Sequence, residues 1–237
     1  MLLLLGCASS ESSELTVLAA SSLTEAFGGL ELAFEERHPE LEVRLSFAGS
    51  QTLAMQVRHG LQADVMASAD LAPLQALAQE DLVGPLRPFA RNRLVLVVAE
   101  ELPVQDLEDL RAVGSLVVGG PEVPVGVYTS ALLDEAQRLY GDAWRADVEA
   151  LIVSREPNVR LVAAKVELGE ADAAFVYATD VRGLEGMRVI PLPMGPTVLY
   201  HHAALRTEHP PLATAWLDFV EDEEGQAILL EQGFTGP

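Results

Sequence analysis

Apolar runs of strand length alternate with segments of helical periodicity along the whole chain, and this predicts an α/β fold. "LTVLAA" (15–20) and "RLVLVVA" (93–99) are short, apolar and partly β-branched, as buried strands are. The segment between 21 and 38 instead sets Leu23, Ala26, Phe27, Leu30 and Phe34 at helical spacing, on one face. Strands that alternate with helices in this way predict layered, mixed but mostly parallel sheets covered by helices.

Taken in order, "LTVLAA" is the first strand, and the helix after it must stop before Pro39. "LEVRLSFA" (41–48) alternates Leu41, Val43, Leu45 and Phe47, a strand with one buried face. A helix then runs from Ser50 to Gly60, a residue suited to the position just past a helix end. "ADVMASA" (63–69) reads as a strand and 71–79 as a helix. "RLVLVVA" and "SLVVGG" (115–120) are strands, and helices are expected over 128–140 and 158–168, each followed by glycine. "ADAAFVYAT" (171–179), "MRVIPLP" (187–193) and "TVLYHHAAL" (197–205) are the remaining strands, with helices from about 211 to 232. No internal repeat is visible.

The totals bound the function. The 237 residues suffice for two modest domains, and 49% hydrophobic content suffices for their cores. The formal net charge is −21, with 36 acidic against 15 basic residues and a single lysine, Lys165. Such a balance disfavours nucleic acid and anionic lipid as partners, since both need a basic face. It leaves room for a small anion held at one local site; salt screens the long-range repulsion beyond about 8–10 Å. Cys7 is the only cysteine, so no intrachain disulfide forms. It stands in "MLLLLGCASSESSE", too short to cross a bilayer and without the basic start of a secretory signal. That tract resembles the end of a bacterial lipoprotein signal, truncated before its basic start, in which Cys7 carries the lipid. The competing reading is a plain polar tail with a stray cysteine.

Four corners deliver small, polar or Gly/Pro residues to a helix start: "AASSLTEAF" (19–27), "FAGSQTLA" (47–54), "PEVPVGVYTSALL" (121–133) and "REPNVRLVAA" (155–164). A helix start presents unpaired N–H groups and the positive end of the macrodipole, a setting that favours an anion by about 0.3–2 kcal/mol. Several aimed at one point, with hydroxyls added, hold an oxyanion without a basic side chain. Each corner also has an ordinary explanation. Ser22 with Glu25 forms a capping box, the preferred reading of Ser22 taken alone. Ser50 lacks an acidic partner at the third helical position, so its capping case is weaker. Asn158 is a conventional N-cap, and Val125-Gly126 can be a simple turn. Arg160, next to Val159, is expected to pair with a carboxylate rather than with an anion in a cleft.

These corners, together with "ADVMASAD", "NVRLVAAKVELGEADAAFVYATD" and the closing Gly-Phe, resemble the molybdate-binding solute receptors of bacterial ABC importers, from about residue 15 to 235. The resemblance implies a type II periplasmic-binding-protein fold of two lobes. One lobe would hold 15–91 and 198–237, the other 92–197, after a leader and linker over 1–14. Crossings near Asn92-Arg93 and Thr197-Val198 would form the hinge. It further implies an extracytoplasmic receptor, monomeric and without a cofactor, that delivers molybdate or tungstate to a membrane permease. The ligand positions fall on the hydroxyls of Ser22, Ser50 and Tyr177 and the backbone N–H groups of Val125 and Val159, with no direct metal-ion ligand. Val125 stands where alanine is expected, and Gly49 and Gln51 flank Ser50 where serines are common. A site built only of donors favours a fully deprotonated dianion. Hydrogen phosphate would turn its own O–H against a donor, a mismatch costing several kcal/mol once dry.

Other classes fit less well. Gly49-Ser50-Gln51-Thr52 lacks the G-x-S-x-G of a nucleophile elbow, and no P-loop or dinucleotide fingerprint occurs. The five histidines, His38, His59, His201, His202 and His209, lie away from the corners and read as surface residues. His201 and His202, adjacent on a strand, point to opposite faces and are poorly placed to share a metal. A regulator on the same fold would carry a basic helix-turn-helix segment, for which residues 1–14 are too short. A receptor for sulfate, phosphate or a small organic acid remains the other binding alternative.

Overall fold

The computed structural model describes residues 13–182 and 185–237, so Cys7 and the expected lipid-anchor tract lie outside the described residues. The chain begins with β1 (Ser13–Ala20), a 3-10 turn (Ser21–Leu23), α1 (Thr24–Arg37), β2 (Leu41–Ala48), α2 (Ser50–Arg58), β3 (Val65–Ser68), α3 (Leu71–Gln79) and β4 (Arg87–Asn92). After one linking residue come β5 (Leu94–Ala99), a second 3-10 segment (Glu108–Ala112), β6 (Leu116–Gly119), α4 (Pro124–Tyr140) and α5 (Asp142–Ala150). Then come β7 (Ile152–Glu156), α6 (Val159–Glu167), β8 (Ala173–Tyr177), β9 (Met187–Pro191) and β10 (Val198–Ala204), and α7 (Pro210–Glu221) and α8 (Glu223–Glu231) close the chain.

Among the described residues the strands form two five-stranded sheets, ordered β2-β1-β3-β10-β4 and β7-β6-β8-β5-β9. The chain passes from the first sheet to the second at Arg93 and returns between Pro191 and Val198. In the first sheet β1 is parallel to β2 and β3, while β10 is antiparallel to β3 and β4. The second repeats the pattern: β6 is parallel to β7 and β8, and β5 antiparallel to β8 and β9. Both sheets are mixed, as expected: four strands of each run one way, and only β10 in the first and β5 in the second run against them. Parallel neighbours need a crossover helix to bring the chain back to the same end. β5 and β10 arrive straight from the other sheet without one, and so run against both their neighbours.

Burial follows from these positions. Leu94–Val98 and Ala173–Tyr177 are buried residue after residue, because helices cover both faces of the central strands. At the sheet margin β2 buries Leu41 and Val43 and exposes Glu42 and Arg44. α1 buries Ala26, Phe27, Leu30 and Phe34, the face that its spacing predicts. Phe34 meets Trp216 edge-on at 5.2 Å and Phe219 at 5.3 Å, joining α1 to α7.

His201 and His202 correct the surface reading. Both are buried, because β10 sits between β3 and β4 and packs against α3 and α7. His202 lies 4.6 Å from the Phe89 ring and its Nε2 is 2.7 Å from Glu221. Burial holds the pKa of both imidazoles below the usual value.

Candidate functional site

Helices of parallel strand–helix units start at the carboxyl ends of their strands, so helix starts from one sheet collect along one edge. Here β1 leads to the turn at Ser21 and β2 to α2, while β6 leads to α4 and β7 to α6. The two edges face each other. Ser22 and Ser50 from the first sheet, and Val125, Val159 and Tyr177 from the second, line a single small cavity of about 10 Å³. That is below the roughly 300–1,000 Å³ of sites for drug-sized ligands, so the cavity suits a small ion. Among the described residues no charged side chain lines it; Ala20, Gly49, Ala69, Pro124 and Asn158 are among its other walls.

The N–H groups come from helix geometry. Ser50 and Val159 open α2 and α6, and Val125 is the second residue of α4, whose first is Pro124. Residues in a first turn have no intrahelical acceptor for their N–H groups. Proline at the first position loses nothing there and fixes the backbone for the helix, which is why α4 starts at Pro124 and not near 128. Asn158 is the expected cap of α6: its side chain accepts from the Leu161 N–H at 3.0 Å.

Ser22 does not cap a helix. α1 begins after a 3-10 turn, with Leu23 at the cap position and no side-chain cap bond. The other half of the expected capping box, Glu25, pairs instead with Arg160. Ser22 is thereby freed, and its hydroxyl lies 2.9 Å from the phenol oxygen of Tyr200. Ser50 is likewise not the cap; Gly49 is, and its carbonyl accepts from Thr52 and Leu53. The Ser50 oxygen accepts from the N–H of Ala69 at 3.2 Å. Tyr177 is 1% exposed and its hydroxyl, deeply buried, has no hydrogen-bond partner among the described residues. Burial pushes its pKa well above 10, with Tyr200, Tyr128, Asp180 and Asp70 adding to the effect, so the phenol stays protonated and able to donate.

Contacts between the two halves surround the cavity. The Arg160 guanidinium joins the Glu25 carboxylate, as expected for a structural pair, and its Nε donates to the Ser21 carbonyl at 3.3 Å. Gln51 Nε2 donates to the Pro157 carbonyl at 2.9 Å. Asn92 Nδ2 donates to Thr179 Oγ1 at 2.8 Å where the chain first crosses. Gly49 lies so close to the Pro157 carbonyl that a Cβ would collide with it, which accounts for glycine at this corner. Behind the cavity, Asp180 is buried beside Arg160; burial pushes its carboxyl up to about 7 against the pull of that arginine.

Chemically this is a set of donors without a base. The hydrogen bonds of Ser22 and Ser50 run to Tyr200 and a backbone amide, not to a histidine that would activate a nucleophile. Among the described residues no cluster of three metal-ligating side chains occurs. Tyr200 and Gln51 are the participants that sequence reasoning passed over. Tyr200 sits 178 positions from Ser22, in a strand where a tyrosine reads simply as core.

Comparison with known proteins agrees with the fold. A molybdate-binding protein ModA of Mycobacterium tuberculosis is 34% identical over 231 residues, covering 94% of this chain and 85% of that protein. The molybdate-binding protein ModA of Escherichia coli is 30% identical over 244 residues, with 97% and 92% covered. Among solved structures, the periplasmic molybdate-binding protein of Azotobacter vinelandii superposes with a TM-score of 0.80 at 19% identity, covering 94% of this chain and 99% of that one. The sulfate-binding protein SubI of Mycobacterium tuberculosis gives 0.83 at 18% identity, covering 94% and 87%. At these identities the structural matches speak for the fold alone. The model of the bacterial extracellular solute-binding proteins matches residues 15–235, and the chain belongs to that family.

Proposed function

We propose that this chain captures molybdate, and tungstate with it, between two lobes and delivers it to the permease of an ABC importer. The observation that carries this reading is the Tyr177 hydroxyl, buried without a partner among the described residues at a small cavity that also takes helix starts from both sheets, serine hydroxyls from the first, and no charged side chain of the described residues. An anion supplies the acceptor that such a group lacks. The names of the curated relatives support molybdate as that anion. Ser22, Ser50 and Tyr177 donate through hydroxyls, and Val125 and Val159 through backbone N–H groups. The lobes are 15–91 with 198–237, and 92–197, hinged near Asn92-Arg93 and Thr197-Val198. An ion that touches both lobes favours the closed form by its differential affinity, and the closed form docks on the permease. The receptor works as a monomer outside the cytoplasm, tethered by a lipid on Cys7.

Titration calorimetry of the full chain with molybdate, tungstate, sulfate and phosphate tests this. Molybdate and tungstate are expected to bind at least about tenfold more tightly than the other two, a gap of about 1.4 kcal/mol. Tighter binding of sulfate or phosphate, or no binding, overturns the assignment. The tether is checked separately: Cys7→Ala should move the protein from the membrane to the soluble fraction of cells expressing the precursor. A wild type that is already soluble removes it.

A further inference from the structure

Tyr200 is wholly buried on β10, edge-on to Phe234 at 5.3 Å and to Phe89 at 6.1 Å, with its hydroxyl 2.9 Å from Ser22 Oγ. Either oxygen can donate in that bond, so its direction is set by what else each can reach. A phenol has one proton to give. Burial keeps the Tyr200 pKa far above 10, so the proton stays on. Among the described residues Ser22 Oγ is the one hydrogen-bond partner of this hydroxyl, and nearby Asn92 turns its carbonyl oxygen to the backbone. That oxygen takes the Arg93 N–H at 2.9 Å, while the amide nitrogen donates to Thr179 Oγ1 at 2.8 Å. The Tyr200 proton is left with Ser22 Oγ, and the Ser22 proton is left with the cavity that Ser22 lines. Ser50 is built in the same sense, since the Ala69 N–H occupies its oxygen from behind.

We infer that Tyr200 is a positioning residue: by donating to Ser22 it locks that serine as a donor toward the cavity, and so helps the site reject oxyanions that carry a proton. This rests on the proposed oxyanion function. With Tyr200 replaced by phenylalanine, the Ser22 hydroxyl is free to rotate and to accept the O–H of hydrogen phosphate, and a neutral-donor cavity loses part of its discrimination.

The test is a double-mutant cycle on the full chain, with molybdate and phosphate titrated near neutral pH. Tyr200→Phe should weaken molybdate about 3- to 10-fold, the worth of one oriented hydrogen bond. It should leave phosphate unweakened, so the ratio of the two affinities narrows. In a Ser22→Ala background, where no hydroxyl remains to orient, the same change should do nothing to either ligand. Unchanged molybdate binding in Tyr200→Phe, or an equal loss in both backgrounds, overturns the inference, because a packing role acts whether or not Ser22 is present. Should Tyr200→Phe fail to fold, 3-fluorotyrosine at 200 keeps the contact with a more acidic, stronger-donating phenol. It must then widen the molybdate-to-phosphate ratio, and an unchanged or narrower ratio sinks the idea. A wild type that binds no oxyanion removes both this inference and the function it rests on; a wild type that binds while the cycle shows no coupling removes only the inference.

Discussion

Replacing Tyr177 by phenylalanine deletes one oxygen, and a binding role and a packing role for that oxygen predict changes of opposite sign. The ring remains, with its edge-on contact to Tyr200 at 6.2 Å. The hydroxyl is buried and bonded to nothing among the described residues, and such a group costs about 1–3 kcal/mol relative to one that is satisfied. Removing it should leave the ligand-free protein as stable as before or more so, with about 2–4 °C in melting temperature for each kcal/mol gained at this chain length. The bound form behaves oppositely. A hydrogen bond to a charged oxygen contributes about 1.5–3 kcal/mol, so molybdate affinity should fall roughly 10- to 150-fold. Scanning calorimetry without ligand and isothermal titration with molybdate read the two numbers on one preparation. A variant that melts lower yet binds normally would show that Tyr177 is a packing residue, and the reasoning about an orphaned donor would be refuted.

Other substitutions act on the closed junction and on the buried charge behind it. Gly49→Ala keeps an extended backbone that alanine adopts without strain but drives a methyl into the Pro157 carbonyl of the other half. Molybdate binding should drop by at least about tenfold, and the compaction seen by small-angle scattering on adding molybdate should vanish; normal closure would contradict the contact. Arg160→Gln removes a half-exposed pair with Glu25, worth about 0–1 kcal/mol. Stopped-flow should show ligand release faster by no more than about 5-fold, whereas a loss of thousands-fold would mean that Arg160 holds the anion itself. Asp180 has a folded pKa raised to about 7 from 3.8 by burial, against Arg160. The folded state therefore holds the extra proton between those values. Its contribution to stability is full below 3.8 and is lost as pH rises through about 7, on the order of 4 kcal/mol in total. Urea unfolding of Asp180→Asn across this range should show a flatter pH dependence than the wild type and higher stability above pH 7; parallel curves would rule the assignment out.

The parts of this fold written in local pattern were readable, and the parts that depend on distant partners were not. The Gly, Ser and Pro corners announced the helix starts that line the cavity, since the chemistry of a first turn is local. β4 escaped notice because "RPFARN" carries Pro88 and two arginines, tolerable only at the margin of a sheet, where β4 lies. β7 is the opposite margin of the second sheet, with half-exposed residues that give no clear alternation. α5 was hidden behind Gly141, whose φ of 89° breaks the path from α4. Ser22 misled for a different reason: its spacing to Glu25 fits a capping box, but Arg160 from the other half takes Glu25, and Tyr200 takes Ser22. His201 and His202 were misjudged because polarity was weighed without knowing that β10 is an inner strand.

Diffraction from crystals grown with molybdate, recorded at the molybdenum absorption edge, examines the donors-only site most directly. The anomalous peak should fall between the hydroxyls of Ser22, Ser50 and Tyr177 and the first turns of α4 and α6, with every oxygen of the ion met by O–H or N–H and no arginine or lysine in contact. A peak elsewhere, or a guanidinium bound to the ion, would contradict the account.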